Sequence, residues 1–200
     1  MALPMLPRMN RAQLLRRGVA GGVLVAGSGA LAAVASAAPP DADLANLRIA
    51  IATELLKLDF ATQALAAGTA QPATATLLRQ AKADDTAHYE GLASLFSGAG
   101  QTPATAGDID FSYPSGSFAS DGSIARLAWT LSTLALGAYT GAIGTTSTPR
   151  FRAAFAQISA NEAQQASALA HLVGRPPVGA AFGPALDPDA VTTALDVYES

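Results

Sequence analysis

Residues 81–96 read AKADDTAHYEGLASLF. Ala81, Ala87, Leu92 and Leu95 fall near one face of a helix, the pattern of an apolar stripe turned toward a core. Asp85 lies four residues after Ala81, and His88 lies four before Leu92. Side chains three or four apart share a helix face, so both polar groups belong to that stripe. An acid and one of the chain's two histidines therefore point where a core should be. Either something inside the fold needs them, or they hold each other in place as a buried acid–histidine pair.

The same contradiction recurs along the chain. Four long helical patterns are readable, over residues 41–67, 72–97, 121–143 and 149–173. In the first, Leu44, Leu47, Ile51, Leu55, Leu58 and Leu65 form the stripe, Asp41 or Asp43 is the expected N-cap, and Gly68 is the stop. Glu54 sits three after Ile51 and four before Leu58, so it faces inward. In the fourth, Glu162 sits four after Ile158 and Gln165 four before Leu169. The third, expected to stop at Gly144, turns only Leu131, Ser132 and Ala135 inward at mid-length. Burying an ionised carboxylate without a partner costs several kcal/mol, and several together repel one another. A cation sits among them, or some are protonated, or the helix faces are rotated from this reading. Hard oxygen ligands plus one imidazole suit one iron, manganese or zinc ion.

The connections set the topology. Helices one and two are joined around GTAQP, and three and four by GTTST; links this short make antiparallel neighbours. Between two and three runs GAGQTPATAGDIDFSYPSGSFA, a long crossing loop expected to pack over the bundle end. The final PPVGAAFGPALDPDAVTTALDVYES reads as an extended tail with a short helix capped by Asp187 or Asp189. No strand pattern runs longer than a few residues. The expected fold is all-α, a four-helix bundle with one long crossover and a short C-terminal helix.

Composition bounds the function. The chain has 200 residues, half of them apolar and 14% charged, enough for one domain with an ample core. It has no cysteine, which excludes disulfides and thiolate metal sites. Residues 1–37 carry Arg8, Arg11, Arg16 and Arg17, then an uncharged Gly/Ala/Val run closing on Ala35-Ser36-Ala37. That is the layout of a cleaved export signal, with the cut expected after Ala37, and the Arg16-Arg17 pair resembles a twin-arginine signal. The mature domain is then 38–200, in an extracytoplasmic location. It would hold eight basic against fifteen acidic residues, a net charge of −7, which argues against nucleic acid and anionic membranes as partners. The glycine-interrupted run is a poor permanent membrane span. Ala- and Gly-rich helix surfaces leave a homo-oligomer open.

Beyond these patterns, ATELLKLDFATQAL, LALGAYTGAI and FGPALDPDAVTTALDVY occur in an order and spacing that resembles the ferritin-like family of exported bacterial proteins and plant desiccation-related proteins. The likeness covers about residues 41–198. DTAH resembles the family's Glu-x-x-His motif with Asp for Glu, and EAQQ resembles it with Gln for His. The resemblance implies Glu54, Asp85, His88 and Glu162 as metal ligands. It also places Ser132 where the family has a glutamate seven residues before Tyr139, and Gln165 where it has its second histidine. Both departures fall on one of two metal positions. The expectation is thus a protein with an eroded di-iron site, a structural or binding role, and no ferroxidase activity. The alternatives are an active two-metal oxidase or catalase-like enzyme recruiting Asp84 or Glu90, and a metal-free desiccation or stress protein. His171 is expected at or near the surface, and Trp129 and Tyr89 as packing or interface residues.

Overall fold

The computed structural model describes residues 38–181 and 183–199; the expected export signal and its cleavage site lie outside them. The chain forms α1 (Asp41–Ala67), α2 (Pro72–Ser97), α3 (Asp121–Thr145), α4 (Pro149–Leu172) and α5 (Pro188–Asp196). Among the described residues there is one isolated β-bridge, Phe111 to Glu199, and no strand. None of these helices is long and apolar enough to cross a membrane.

Three hydrogen bonds set the helix directions. Gln71 N–H, just before α2, donates to the Asp121 carboxylate at the start of α3 (2.8 Å), so α2 and α3 begin at the same end. The Asn46 amide near the start of α1 donates to Thr145 and Thr146 at the end of α3, 3.1 Å each. The crossing loop must therefore run back along the bundle. It does so anchored by Tyr89 O–H to Ala104 C=O (2.9 Å) and by Tyr113 O–H to the Asp59 carboxylate (2.9 Å). Sequence reading had it capping the bundle end; it lies along the side of α1 instead.

That placement changes α1 most. Leu44, Leu47, Ile51 and Leu55 enter the core as expected, but Leu58 and Leu65 are only partly buried. A second apolar face of Ile49, Leu56, Phe60 and Ala64 is buried as well. It is covered by Val191, Leu195 and Tyr198 of α5 and its end, and by Phe111, Tyr113 and Phe118 of the loop. Phe60, Tyr113 and Phe118 pack ring to ring at 5.2–5.9 Å. A helix enclosed on two faces has no single stripe, which is why α1 is poorly described by one.

The ends of the helices refine the boundaries. Gly68 closes α1 in the left-handed conformation (φ 70°), as glycine does at helix ends. Neither Asp41 nor Asp43 caps α1: the N-cap is Pro40 and makes no side-chain cap bond. Asp43 serves another helix. Its carboxylate accepts from Ser147 N–H (3.0 Å), Ser147 O–H (3.0 Å) and Thr148 N–H (2.6 Å), pinning the α3–α4 turn. These bonds overcome the upward push of burial and hold its pKa below the usual carboxylate value. The third helix runs past Gly144 to Thr145, because Thr146 N–H still bonds Ala142 C=O (2.9 Å). The fourth stops at Leu172, one residue early, before Gly174 at φ 69°. Of the two aspartates expected to cap the last helix, Asp187 does so, accepting from Ala190 N–H at 2.8 Å.

Candidate metal centre

Glu54 on α1, Asp85 and His88 on α2 and Glu162 on α4 converge at mid-bundle. One ligand atom from each lies within 4.8 Å of all the others. Glu54 and Glu162 are wholly buried and Asp85 nearly so. The face of α2 is as expected for Asp85 and Leu92, but Ala87 is exposed. The stripe there runs through Leu78, Asp85, Leu92 and Phe96. Asp84 forms a bond on its own helix with the Gln80 amide (2.9 Å), and Glu90 is exposed; neither joins the cluster.

Sequence reasoning missed Lys57. It sits one turn after Glu54 on α1 and is 4% exposed. Its ammonium donates to Asp85 Oδ1 (2.8 Å), to Gln165 Oε1 (3.3 Å) and to Glu162 Oε1. The signal was present in the sequence: Lys57 shares the inward face three residues from Glu54 and three from Phe60. Lysine is so rarely buried that its position in the stripe went unread.

The cluster has two sides. On one, Lys57 meets Asp85, Glu162 and Gln165, and the Gln165 amide donates to Asp85 Oδ1 (3.2 Å) and to Asn161 (2.9 Å). Here each group has a partner. On the other, His88 Nδ1 stands 3.5 Å from Glu162 Oε1, 3.7 Å from Glu54 Oε2 and 3.8 Å from Asp85 Oδ1, near enough for attraction without a hydrogen bond. Tyr139 O–H donates to Glu54 Oε1. Left over are Glu54 Oε2, Glu162 Oε2 and His88 Nδ1, all buried and without a hydrogen-bond partner. Ser132 is buried on α3 and lines a cavity of about 20 Å³ with Lys57, Asp85 and Gln165.

Electrostatics follow from this packing. Burial favours neutral Lys57, but Glu162, Glu54 and Asp85 outweigh it and keep the ammonium charged. Burial pushes the Asp85 carboxyl up to about 7, against the pull of Lys57 and with repulsion from Glu54 and Glu162. Burial would lower His88, yet Glu162 and Glu54 beside it push it up to about 9. Burial would raise Glu162, and Lys57 first, then His88, brings it below the usual carboxylate range. Burial and then Glu54 keep the Tyr139 hydroxyl firmly protonated.

The other expectations resolve simply. His171 is exposed. Trp129 is half-buried, with the Arg175 guanidinium 4.2 Å from its ring centre. The two small-residue positions of LALGAYTGAI receive the C-terminal tail: Leu186 N–H donates to Gly137 C=O (3.0 Å), and Leu186 C=O lies against Gly141.

An up-and-down pair of helix hairpins, joined by a side-running crossover around buried carboxylates, defines a ferritin-like bundle with the donor set of a metal centre. The chain belongs to the family of the ferritin-like domain, whose sequence profile matches residues 42–175. The fold is also similar to the crystal structure of a conserved hypothetical protein from Mycobacterium tuberculosis. The match covers 70% of this chain and 96% of that one, at 20% identity and a TM-score of 0.59. None of the curated proteins matches the sequence.

Proposed function

We propose that this protein is an exported ferritin-like protein that binds a single divalent metal ion and has a structural or binding role rather than ferroxidase activity. The observation that carries the reading is the gathering of Glu54, Asp85, His88 and Glu162, one ligand atom of each within 4.8 Å of the others, with Glu54 Oε2, Glu162 Oε2 and His88 Nδ1 buried and unpartnered. Buried polar atoms are nearly always satisfied. Two carboxylate oxygens and an imidazole nitrogen are together the donors a borderline or hard divalent ion takes. Asp85, whose ligand atom lies in the same group, completes the set. Such an ion would supply positive charge to three acids that otherwise face the Lys57 ammonium and the raised His88 imidazole.

Iron, manganese and zinc all suit these donors. Two-metal oxidation needs a second ion a few ångströms away, and the side of the cluster beside Ser132 and Gln165 is already occupied by the Lys57 ammonium between Asp85 and Glu162. Export rests on the arginine-rich, apolar and Ala-x-Ala layout of residues 1–37.

The test is the metal content of the full chain purified without a His tag after supply of iron, manganese and zinc. One ion per chain, lost in His88→Ala, is expected, together with no oxidation of ferrous iron or peroxide turnover. A protein that carries no metal from any of these supplies would leave Glu54, Asp85 and Glu162 as a buried structural cluster held by Lys57, His88 and Tyr139. Robust ferrous oxidation would restore the oxidase reading.

A further inference from the structure

The two sides of the cluster differ in how they are filled, and the filled side has the form of a cation site. Lys57 Nζ is held by three side-chain oxygens from two other helices: Asp85 Oδ1 at 2.8 Å, Gln165 Oε1 at 3.3 Å, and Glu162 Oε1. Asp85 Oδ1 and Glu162 Oε1 also face His88 Nδ1, at 3.8 and 3.5 Å. These two oxygens therefore face both the ammonium and the unpartnered imidazole nitrogen of His88. Two carboxylates shared between two positive centres is the arrangement of a paired-cation site, with one of the pair attached to the chain.

We propose that the Lys57 ammonium is a tethered cation occupying a second ion position, and that it limits this site to one exchangeable metal ion. The inference rests on the reading of the cluster as a metal centre. Charge counting supports it: three buried carboxylates are matched by one ammonium and one divalent ion, and a second divalent ion beside the ammonium would leave excess positive charge in a low-dielectric interior. Space supports it too. The adjoining cavity of about 20 Å³, whose lining includes Lys57, Asp85, Ser132, Gln165, Phe60 and Leu131, has room for about one water molecule. With so little room beyond it, the ammonium itself fills the place between Asp85 and Glu162 that an additional ion would take. Lys57 is thus the residue that sets the metal count, through occupancy and charge together.

The experiment exchanges the tethered cation for a free one. In Lys57→Glu four carboxylates face the site, matching two divalent ions. Lys57→Ala opens the position without adding a ligand. The full-length wild type and both variants are titrated with Mn(II) alone; stoichiometry is read by elemental analysis after gel filtration, and folding by circular dichroism. Wild type is expected to hold one ion per chain and Lys57→Glu two, with Mn(II) raising the melting temperature of Lys57→Glu more than that of wild type. If Lys57→Glu folds only with Mn(II) present, two ions in the folded form support the proposal equally. One ion in wild type and no more than one in either variant overturns it, as does a failure of both variants to fold at saturating Mn(II). Wild type with no ion and Lys57→Glu with two would defeat the single-metal reading above while sustaining the role of Lys57.

Discussion

At the scale of single residues, the cluster depends on one-to-one pairings that a methyl or hydroxyl can undo. Tyr139 donates the only hydrogen bond that wholly buried Glu54 receives among the described residues. Tyr139→Phe removes it and leaves both Glu54 oxygens bare. We expect a loss of about 1–3 kcal/mol in urea unfolding, part of it recovered at saturating metal because an ion satisfies the same carboxylate. Equal stability of variant and wild type without metal would mean Glu54 has another partner. Glu54, Asp85, His88 and Glu162 were legible at this scale because helical spacing alone puts them on inward faces. Lys57 obeyed the same spacing. What hid it was the expectation that a lysine at the edge of a stripe reaches out to solvent along its flexible stem; which way it turns depends on acids brought from α2 and α4.

At the scale of elements, two contacts hold the helices in order. The first is the tail laid on α3. A Cβ at Gly141 would lie 1.8 Å from the Leu186 carbonyl oxygen, and one at Gly137 would lie 2.8 Å from the Leu186 side chain. Gly141→Ala cannot be accommodated with the tail in place. It should cost at least about 1–3 kcal/mol and release residues 184–187 to limited proteolysis; unchanged protection of that segment would disprove the packing account. The second contact is Asp43. With three bonds into the α3–α4 turn, Asp43→Ala should lower stability by about 1–3 kcal/mol without altering metal stoichiometry. Sequence reading found all five helices and placed both ends of four of them within two residues. It assigned Asp43 to the wrong helix because a cap is recognised locally, whereas this carboxylate works on a turn more than a hundred residues away.

At the scale of the whole molecule, stability, metal and pH are linked through the buried charges. Asp85 keeps its proton to about pH 7 when folded, against a usual value of 3.8. Between those values the unfolded chain binds fewer protons, so stability falls as pH rises. His88 is raised from 6.5 to about 9; its contribution is complete below 6.5 and is lost as pH rises through 9. Both act in the same direction. The metal-stripped protein should therefore melt at progressively lower temperature from pH 5 to 9. Metal binding requires deprotonated ligands and strengthens over that same range. The gain in melting temperature on adding Mn(II) should be larger at pH 8.5 than at pH 5.5, since a ligand present at a hundred times its Kd stabilises by about 2.7 kcal/mol. A gain that shrinks with rising pH would remove Asp85 and His88 from the ligand set.

The helical periods, the short and long connections and the inward spacing of Glu54, Asp85, His88 and Glu162 are properties of local sequence. They were enough to determine an all-α bundle with a crossover and an acidic interior. The second buried face of α1, the course of the crossover along it, the seating of Leu186 on Gly141 and the turning of Lys57 onto Asp85 and Glu162 were decided only when the helices came together. The physical reason is the same in each case. A side chain's partner there comes from another helix or loop, and the free energy that chooses between solvent and interior exists only once that partner is in place.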